Sequence, residues 1–201
     1  MLIYFVRHGQ TDWNKALRWQ GGSSDIELNA TGLAQAQAVK SWIVDQGIIP
    51  AAIVCSPMKR AVKTAECIAL AFAQEIVSEP AFREVGLGDF EGKTTDELRL
   101  QYGEKFDQWL QTYHLEPAPG GESLQQAIER MRPRLLSRIE QFGDRLIIVA
   151  HQAILMGMKA ALSNDLRPET LASYKQANFE IDVWDVENAG ILKRIDIRQN
   201  T

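Results

Sequence analysis

Two basic side chains and two imidazoles stand at places in the sequence from which they could bind an anion together. Arg7 and His8 directly follow one short apolar run, and His151 directly follows another. Arg60 lies in the first turn of the helical pattern that follows a third apolar run. Guanidinium groups match phosphate oxygens with paired N–H donors, and imidazole can act as a nucleophile or carry a proton near neutral pH. The four side chains predict a phosphate pocket if the fold brings these points together.

These side chains follow three apolar runs, at 2–6, 51–55 and 146–150. Continuous apolar runs of this length are typical of strands that are buried on both faces of a parallel sheet. Helical patterns separate them, which predicts an α/β three-layer sandwich with a mostly parallel central sheet and helices on both faces. Two later runs, at 179–184 and 191–197, predict an antiparallel hairpin at the edge of the sheet. Ligands of such sheets bind at the carboxyl ends of the strands, where the four side chains stand.

Local patterns give four further predictions about the helices. The first long helix is predicted to bury Leu33 with the other apolar residues of its face. Ser56 and Pro57 predict a helix start, with a capping hydroxyl and a proline at the first helical position. A single helix is predicted over about 95–113. Pro133 is predicted to kink a later helix or to leave one of its carbonyls unpaired.

Length, charge and composition restrict the class of protein. The 201 residues predict a single domain over 1–201, with a helical lid insertion around 93–120. The net charge, 22 − 26 = −4, predicts no broad basic surface and no nucleic-acid partner. No apolar run is long enough for a signal segment or a membrane span, so we expect no membrane association and a cytoplasmic location. Cys55 and Cys67 are predicted to be buried free thiols, and no Cys/His/Asp spacing indicates a metal site.

Several sequence blocks point to a known family. Residues 2–14, which read LIYFVRHGQTDWN, resemble the opening of the histidine phosphatase superfamily, also called phosphoglycerate-mutase-like. Several ordered blocks together are a far more specific signal than Arg-His-Gly alone. The other matching blocks follow in the family's order across essentially the whole chain, and they are Gln20-Gly21, Cys55-Ser56-Pro57 with Arg60-Ala61, Glu84 with Gly88-Asp89-Phe90-Glu91-Gly92, Gly120-Gly121-Glu122-Ser123, and Val149-Ala150-His151.

The resemblance implies a set of catalytic roles. His8 is implied to attack phosphorus and to become a phosphohistidine, while Arg7, Arg60 and His151 hold the phosphoryl oxygens. Glu84 is implied to protonate the leaving oxygen and then to activate water. Such a two-step transfer requires no metal and no cofactor. Glu91, in the same block as Glu84, is expected to be structural.

Further residues are assigned to substrate or phosphate binding on the same basis. Gly9 and Asn14 are expected at the phosphate, where Asn14 adds a donor. Gln20 and Gly21 are expected to line the substrate side. Gln152 stands where most members of the family carry glycine, so its backbone N–H can point at phosphate while its side chain projects near the pocket.

Nearby positive charge would keep His8 in the neutral form that a nucleophile requires. A cation about 6 Å from an imidazole, at an effective dielectric constant near 20, disfavours the protonated ring by about 3 kcal/mol. That corresponds to about two pKa units, which keeps His8 mostly neutral at pH 7. The same field deprotonates His151 in the empty site. Glu84 must instead carry a proton, and the charge of the bound phosphate is the expected cause of a raised pKa.

Three functions remain open at this stage. The first is a metal-independent phosphomonoesterase for a small phosphorylated metabolite, favoured by the short stretch between Glu84 and His151. A cofactor-dependent phosphoglycerate mutase is the alternative, although such mutases carry more chain there. A catalytically idle module that binds a phospholigand or a partner is the third. The pair His151-Gln152 resembles the alpha-ribazole phosphatase branch, whereas the spacing from Gln20 to Asp25 resembles the fructose-bisphosphatase-like branch. These two resemblances conflict, so the sequence does not identify the substrate. It does not identify the oligomeric state either.

Overall fold

The computed structural model describes residues 1–200, with the side chains of residues 1–198. The strands are β1 (Leu2–Arg7), β2 (Ala52–Cys55), β3 (Ile76–Ser78), β4 (Leu146–Ala150), β5 (Glu180–Asp185) and β6 (Gly190–Asp196). The helices are α1 (Asp12–Lys15), α2 (Ala30–Asp45), α3 (Lys59–Ala69), α4 (Thr95–Tyr102), α5 (Glu104–Thr112), α6 (Leu124–Phe142), α7 (Gln152–Ser163) and α8 (Pro168–Ser173). Short 3-10 turns occur at Pro80–Phe82, Gly88–Phe90 and Ile197–Asn200.

The strands form one sheet in the order β3-β2-β4-β1-β5-β6. The first four are mutually parallel, whereas β5 pairs antiparallel with both β1 and β6. Alternate residues of the central strands face opposite layers: Phe5 and Ile148 pack with α6 and α7, whereas Val6 and Val149 pack with α2 and α3. The predicted three-layer α/β sandwich, with its mostly parallel sheet and antiparallel edge, is confirmed.

The start of α3 differs from its prediction. The helix begins at Lys59, and Met58 is its N-cap residue without a side-chain cap. Ser56 Oγ instead lies 2.7 Å from His151 Nε2. The predicted cap was wrong because the chain bends at residues 57 and 58, where Ser56 Oγ accepts from Met58 N at 3.3 Å, and the helix starts only after this bend. Arg60 nevertheless lies in the first turn of α3.

Two other helix predictions were also wrong. Leu33 is 39% exposed, since α2 buries Gly32 in its place. The single helix over 95–113 is two helices, α4 and α5, separated at Gly103, which has φ +58°. A residue in that left-handed conformation ends a helix, and glycine adopts it without strain. Unlike Gly103, Pro133 does not end its helix: α6 continues past it, and Pro133 lies at an exposed position.

The segment that contains α4 and α5 has its own small core. Phe90, Leu98, Phe106 and Trp109 are buried together there, apart from the two layers beside the sheet. The ring of Trp19 reaches this core from the other side of the site and lies edge-on to Trp109, with ring centroids 5.7 Å apart. Aromatic pairs in this geometry stabilise each other beyond simple burial. Residues around 93–120 therefore form a packed helical wall rather than a loose loop.

Two other predictions concern the cysteines and the membrane. Cys55 and Cys67 are buried and free, as predicted. Within residues 1–200, no helix combines the length and the hydropathy that crossing a bilayer requires.

Candidate active site

The ends of β1 and β4 bring the two histidines together. Arg7 is paired in register with Ala150, and the His8 N–H continues the ladder by donating to Ala150 O at 3.0 Å. His151 follows Ala150 directly, so its imidazole lies beside that of His8, with ring centroids 5.0 Å apart. Both side chains are almost completely buried. Because β1 and β4 are parallel neighbours, their carboxyl ends lie side by side, and the two histidines meet there as predicted.

His8 is held in one tautomer. Its Nδ1 lies 2.7 Å from Gly9 O, and because a carbonyl can only accept, Nδ1 carries the proton. The lone pair is then on Nε2, which is the ring nitrogen able to act as a nucleophile. Burial lowers the pKa of His8 well below its ordinary value, and the positive charges of Arg60 and Arg7 lower it further. The ring is therefore neutral at pH 7. Burial is the larger cause, and the positive charge of the two arginines, which was predicted as the cause, is the smaller one.

His151 and Arg60 form a pair behind this site. Arg60 Nε donates to His151 Nδ1 at 3.1 Å, so the ring carries its proton on Nε2, which lies against Ser56 Oγ. Arg60 is fully buried and also donates to the carbonyls of Ser24 (2.8 Å) and Gly21 (3.2 Å). Burial lowers the pKa of His151 well below its ordinary value. His151 is neutral in this arrangement, and it can become cationic only if Arg60 releases Nδ1.

Arg7 presents one edge of its guanidinium to the site. Nη1 donates to Gln152 Oε1 at 2.7 Å and to Gln176 O at 2.9 Å. Nε is buried and has no hydrogen-bond partner among the described residues. Most buried N–H groups in folded proteins have a partner, so this one can donate to a ligand that binds beside it. The opposite edge of Arg7 therefore has the geometry for an anion, although burial lowers its pKa to about 10.

Gln176 is fixed from several sides. Its Nε2 donates to Phe5 O and to Glu180 O, both at 2.7 Å. Lys159 donates to its Oε1 at 3.2 Å and also pairs with Asp182. A buried charged network thus fixes the Gln176 carbonyl that accepts from Arg7. Because Arg7 is held in place before an anion binds, less conformational entropy is lost on binding.

We expect Gln152→Leu to weaken phosphate binding about tenfold. The change leaves Arg7 with one of its two acceptors, and a hydrogen bond to a charged group contributes about 1.5 kcal/mol or more. The measurement is the inhibition constant of inorganic phosphate, followed with para-nitrophenyl phosphate as substrate. Gln101→Leu, at an exposed position on α4, is the matched control. An unchanged inhibition constant for Gln152→Leu contradicts the role assigned to this contact.

Glu84 lies against the start of α7. Its Oε1 accepts from the N–H groups of Val85 (2.9 Å) and Ile154 (3.0 Å), and its Oε2 accepts from the N–H of Ala153 (3.2 Å). These bonds favour the ionised form, but burial outweighs them and raises the pKa of Glu84. The expected cause of this raised pKa, the charge of bound phosphate, is therefore not required. Burial by itself prepares the carboxyl to carry a proton.

An open cavity of about 630 Å³ connects these groups to solvent. Six of the residues predicted for the site line it, and they are Arg7, His8, Asn14, Gln20, Glu84 and Gln152. Asn14 accepts from Thr11 N through Oδ1, which leaves its amide nitrogen for a ligand. Gln20 has a buried Nε2 without a partner in the described part of the chain, as Arg7 has at Nε. Two such N–H donors, on side chains that line one cavity, suit the binding of an anion.

Four other predicted residues lie behind the cavity wall. Arg60 and His151 form the buried pair described above. Gly9 donates its N–H to Thr64 Oγ1 at 3.1 Å, and Gly21 supplies a carbonyl to Arg60. Both glycines have no room for a side chain, since a Cβ on Gly9 or Gly21 would lie 2.3 Å from another atom. Their direct contact with phosphate stays a prediction.

Sequence reasoning missed three residues that fix the site. Gln176 and Asn178 lie in the loop before β5, where Asn178 donates to His8 O at 2.7 Å. Ser56 was interpreted as a helix cap and instead contacts His151. Polar residues in a loop carry no local pattern that reveals such contacts. Glu91, in contrast, accepts from Ser23 N and Leu87 N at 3.1 and 3.2 Å, which agrees with the structural role expected for it.

No group of three or more potential metal-ligating side chains is present in the part of the chain that the structure describes. The site's chemistry is that of anion binding: unpaired N–H donors, a neutral imidazole with a free nitrogen, and a carboxyl whose pKa is raised. Such a set can hold a phosphoryl group, attack it and protonate what leaves.

Comparison with known sequences gives a consistent result. The family model of the histidine phosphatase superfamily (branch 1) matches residues 3–195. A protein of Serratia proteamaculans named probable phosphoglycerate mutase GpmB is 32% identical, and the alignment covers 96% of this chain and 94% of that protein. A protein of the same name from Yersinia pestis is 30% identical over 97% of this chain and 95% of its own length.

Solved structures with the same architecture include named phosphatases. A mycobacterial glucosyl-3-phosphoglycerate phosphatase in complex with VO3 is 26% identical with a TM-score of 0.81, and the match covers 92% of each chain. YhfR of Bacillus stearothermophilus is 28% identical with a TM-score of 0.81, covering 92% of this chain and 90% of that one. The alpha-ribazole phosphatase of Shigella flexneri has a TM-score of 0.83 over 98% and 96% of the two chains, but at 24% identity it shows the fold alone.

Proposed function

Since this chain belongs to the histidine phosphatase superfamily, we propose that it is a metal-independent phosphomonoesterase that hydrolyses a small phosphorylated metabolite through a phosphohistidine. The observation that carries the proposal is the combination of a neutral His8, an unpaired Arg7 edge and a buried Glu84 carboxyl around one cavity. The phosphatases among the structural relatives support the hydrolytic reading of this arrangement.

The first step transfers the phosphoryl group to His8. The lone pair on Nε2 attacks phosphorus while the ester P–O bond breaks and Glu84 gives its proton to the leaving oxygen. Nδ1–H donates to Gly9 O throughout, which stabilises the positive charge that the ring gains. Arg7 binds the phosphoryl oxygens through its unpaired edge. Arg60 adds positive charge from behind, and it remains charged at pH 7 because burial lowers its pKa only to about 10. The neutral His151 accepts from Arg60 through Nδ1 and so holds the guanidinium in place.

The second step returns His8 to its starting state. Glu84, now ionised, removes a proton from water, the water oxygen attacks phosphorus, and the bond between phosphorus and Nε2 breaks. Ala153 and Ile154 at the start of α7 stabilise the ionised carboxylate between the two steps. Inorganic phosphate leaves, and Glu84 again carries the proton.

A cofactor-dependent phosphoglycerate mutase is the second candidate, because the curated relatives carry the name probable phosphoglycerate mutase. A mutase must retain a bisphosphorylated intermediate while it reorients. The open cavity favours release, which is why we place hydrolysis first.

The experiment that separates the two supplies 3-phosphoglycerate with and without 2,3-bisphosphoglycerate. We expect phosphate release from 3-phosphoglycerate or from para-nitrophenyl phosphate to exceed formation of 2-phosphoglycerate in both conditions. Release is measured colorimetrically, and isomerisation by coupling to enolase. Isomerisation that the bisphosphate stimulates and that outruns phosphate release contradicts the phosphatase assignment.

The cytoplasmic location and the single-domain organisation with a lid around 93–120 stay predictions.

A further inference from the structure

The cavity is much larger than a phosphoryl group needs. Its volume of about 630 Å³ is in the range of pockets that enclose whole small-molecule ligands. The candidate catalytic groups occupy one part of its wall. The rest of the wall must face whatever the phosphoryl group is attached to, so its chemistry describes the leaving group.

That outer wall is mainly apolar. It comprises Leu17, Trp19, Leu87, Trp109, Leu110 and Met156. The indole N–H of Trp19 donates to Thr95 Oγ1 at 3.2 Å, and that of Trp109 donates to Glu116 O at 3.1 Å. Because both indoles already have their hydrogen-bond partner, their rings offer a ligand only apolar surface.

The charged groups of the outer wall are mostly engaged with the protein. Arg18 donates to Gly92 O at 2.5 Å and pairs with Glu97 at 3.0 Å. Glu122 pairs with Arg130 at 2.6 Å. Lys175 also lines the cavity, at an exposed position. A compact, highly polar leaving group could meet Lys175 and the amide nitrogens of Asn14 and Gln20, but it would leave the apolar wall in water.

Leu17 supplies an independent indication. It has φ +53°, a left-handed conformation that leucine rarely adopts, and its side chain is 79% exposed. It follows the short helix α1, at the kind of position where glycine is common. The conformation is that of a helix end, so the exposed apolar side chain among the residues that line the cavity is what points to a ligand that covers it.

We propose that the outer part of the cavity is a leaving-group subsite that selects phosphomonoesters of bulky apolar alcohols, with an alkyl chain or an aromatic ring, over compact phosphorylated acids. This inference rests on the proposed phosphatase function. The ester P–O bond breaks as His8 Nε2 binds phosphorus, the alcohol oxygen takes the proton of Glu84, and the apolar alcohol then leaves along this wall.

The test is a homologous series of methyl, propyl and hexyl phosphate. The leaving alcohols are nearly equal in acidity, so differences in kcat/KM report contacts with the wall. We expect kcat/KM to rise by about 3- to 4-fold for each methylene that the wall buries. A flat or falling series, or a higher kcat/KM for 3-phosphoglycerate than for hexyl phosphate, overturns the proposal.

Leu17→Gly tests the role of that residue separately. We expect the ratio of kcat/KM for hexyl over methyl phosphate to fall by about 5-fold. The midpoint of thermal unfolding should stay or rise, because glycine adopts the left-handed conformation without strain. The control is Leu70→Ala, an exposed leucine at the end of α3, which should leave both values unchanged. An unchanged ratio in Leu17→Gly contradicts the contact.

Failure of the underlying function looks different. If the protein released no phosphate from any alkyl phosphate or from para-nitrophenyl phosphate, the phosphatase assignment itself would be wrong. Turnover of para-nitrophenyl phosphate together with a flat alkyl series leaves the phosphatase assignment standing and removes only the apolar subsite.

Discussion

His8→Ala should reduce turnover of para-nitrophenyl phosphate by about 10⁴-fold or more, because no other described residue that lines the cavity supplies a neutral imidazole as nucleophile. His151 cannot replace it, since Arg60 occupies its Nδ1 and its Nε2 lies against Ser56. The wild-type protein, quenched in alkali during turnover of a radiolabelled substrate, should retain label that acid then releases. His8→Ala should retain none.

The control for this substitution is His114→Ala, which changes the third histidine, after the end of α5 and outside the cavity lining. That variant should keep wild-type turnover and labelling. Thermal unfolding of both variants shows whether the fold persists, because His8 is buried and its loss leaves a cavity. If His8→Ala kept the wild-type rate, the phosphohistidine mechanism would be refuted. If the wild-type protein neither turned over nor became labelled, the idle phospholigand-binding module would be favoured.

Glu84→Gln should separate the two chemical steps. An amide cannot donate a proton as an acid does, so kcat/KM for alkyl phosphates should fall by about 10²- to 10⁴-fold. Para-nitrophenolate leaves without protonation, so its release in the first step should persist. The second step also needs Glu84, and the variant should therefore give a burst of about one equivalent of nitrophenolate followed by slow turnover, seen by stopped-flow absorbance.

The pH profile gives a second measure of the same residue. Burial raises the pKa of Glu84, so the protonated form persists to higher pH than for an ordinary carboxyl. For alkyl phosphates, kcat/KM should be high below this raised pKa and should decline as pH rises through it. The decline should be absent in Glu84→Gln. A wild-type profile for Glu84→Gln contradicts the acid role.

Glu91→Gln is the matched control for Glu84→Gln. Glu91 belongs to the same sequence block, but its carboxylate accepts from the backbone of Ser23 and Leu87 rather than lining the cavity. We expect this variant to show no burst and to retain the wild-type pH profile. A burst in Glu91→Gln would transfer the acid role to that residue.

Much of the fold was predictable because its signals are local. Apolar runs of strand length, broken by helical periodicity, indicated the α/β sandwich and placed His8 and His151 at strand ends. A short, partly exposed strand has no continuous apolar run that marks it in the sequence. For this reason β3, with three residues, was not predicted. The helix break at Gly103 was missed as well, since glycine within an otherwise helical pattern does not say whether the helix continues.

The candidate site was predictable in its residue types but not in its contacts. The order of residues along the chain puts arginine and imidazole groups directly after buried strands, and parallel strands share one carboxyl edge, so their meeting could be predicted. That burial, more than the arginine field, keeps His8 neutral depends on the packed structure. The packed structure also places Arg60 behind His151 and lets Gln152 and Gln176 orient Arg7. Desolvation and hydrogen-bond partners depend on groups far apart in the chain, here about 170 residues for Arg7 and Gln176, and no spacing in the sequence encodes them.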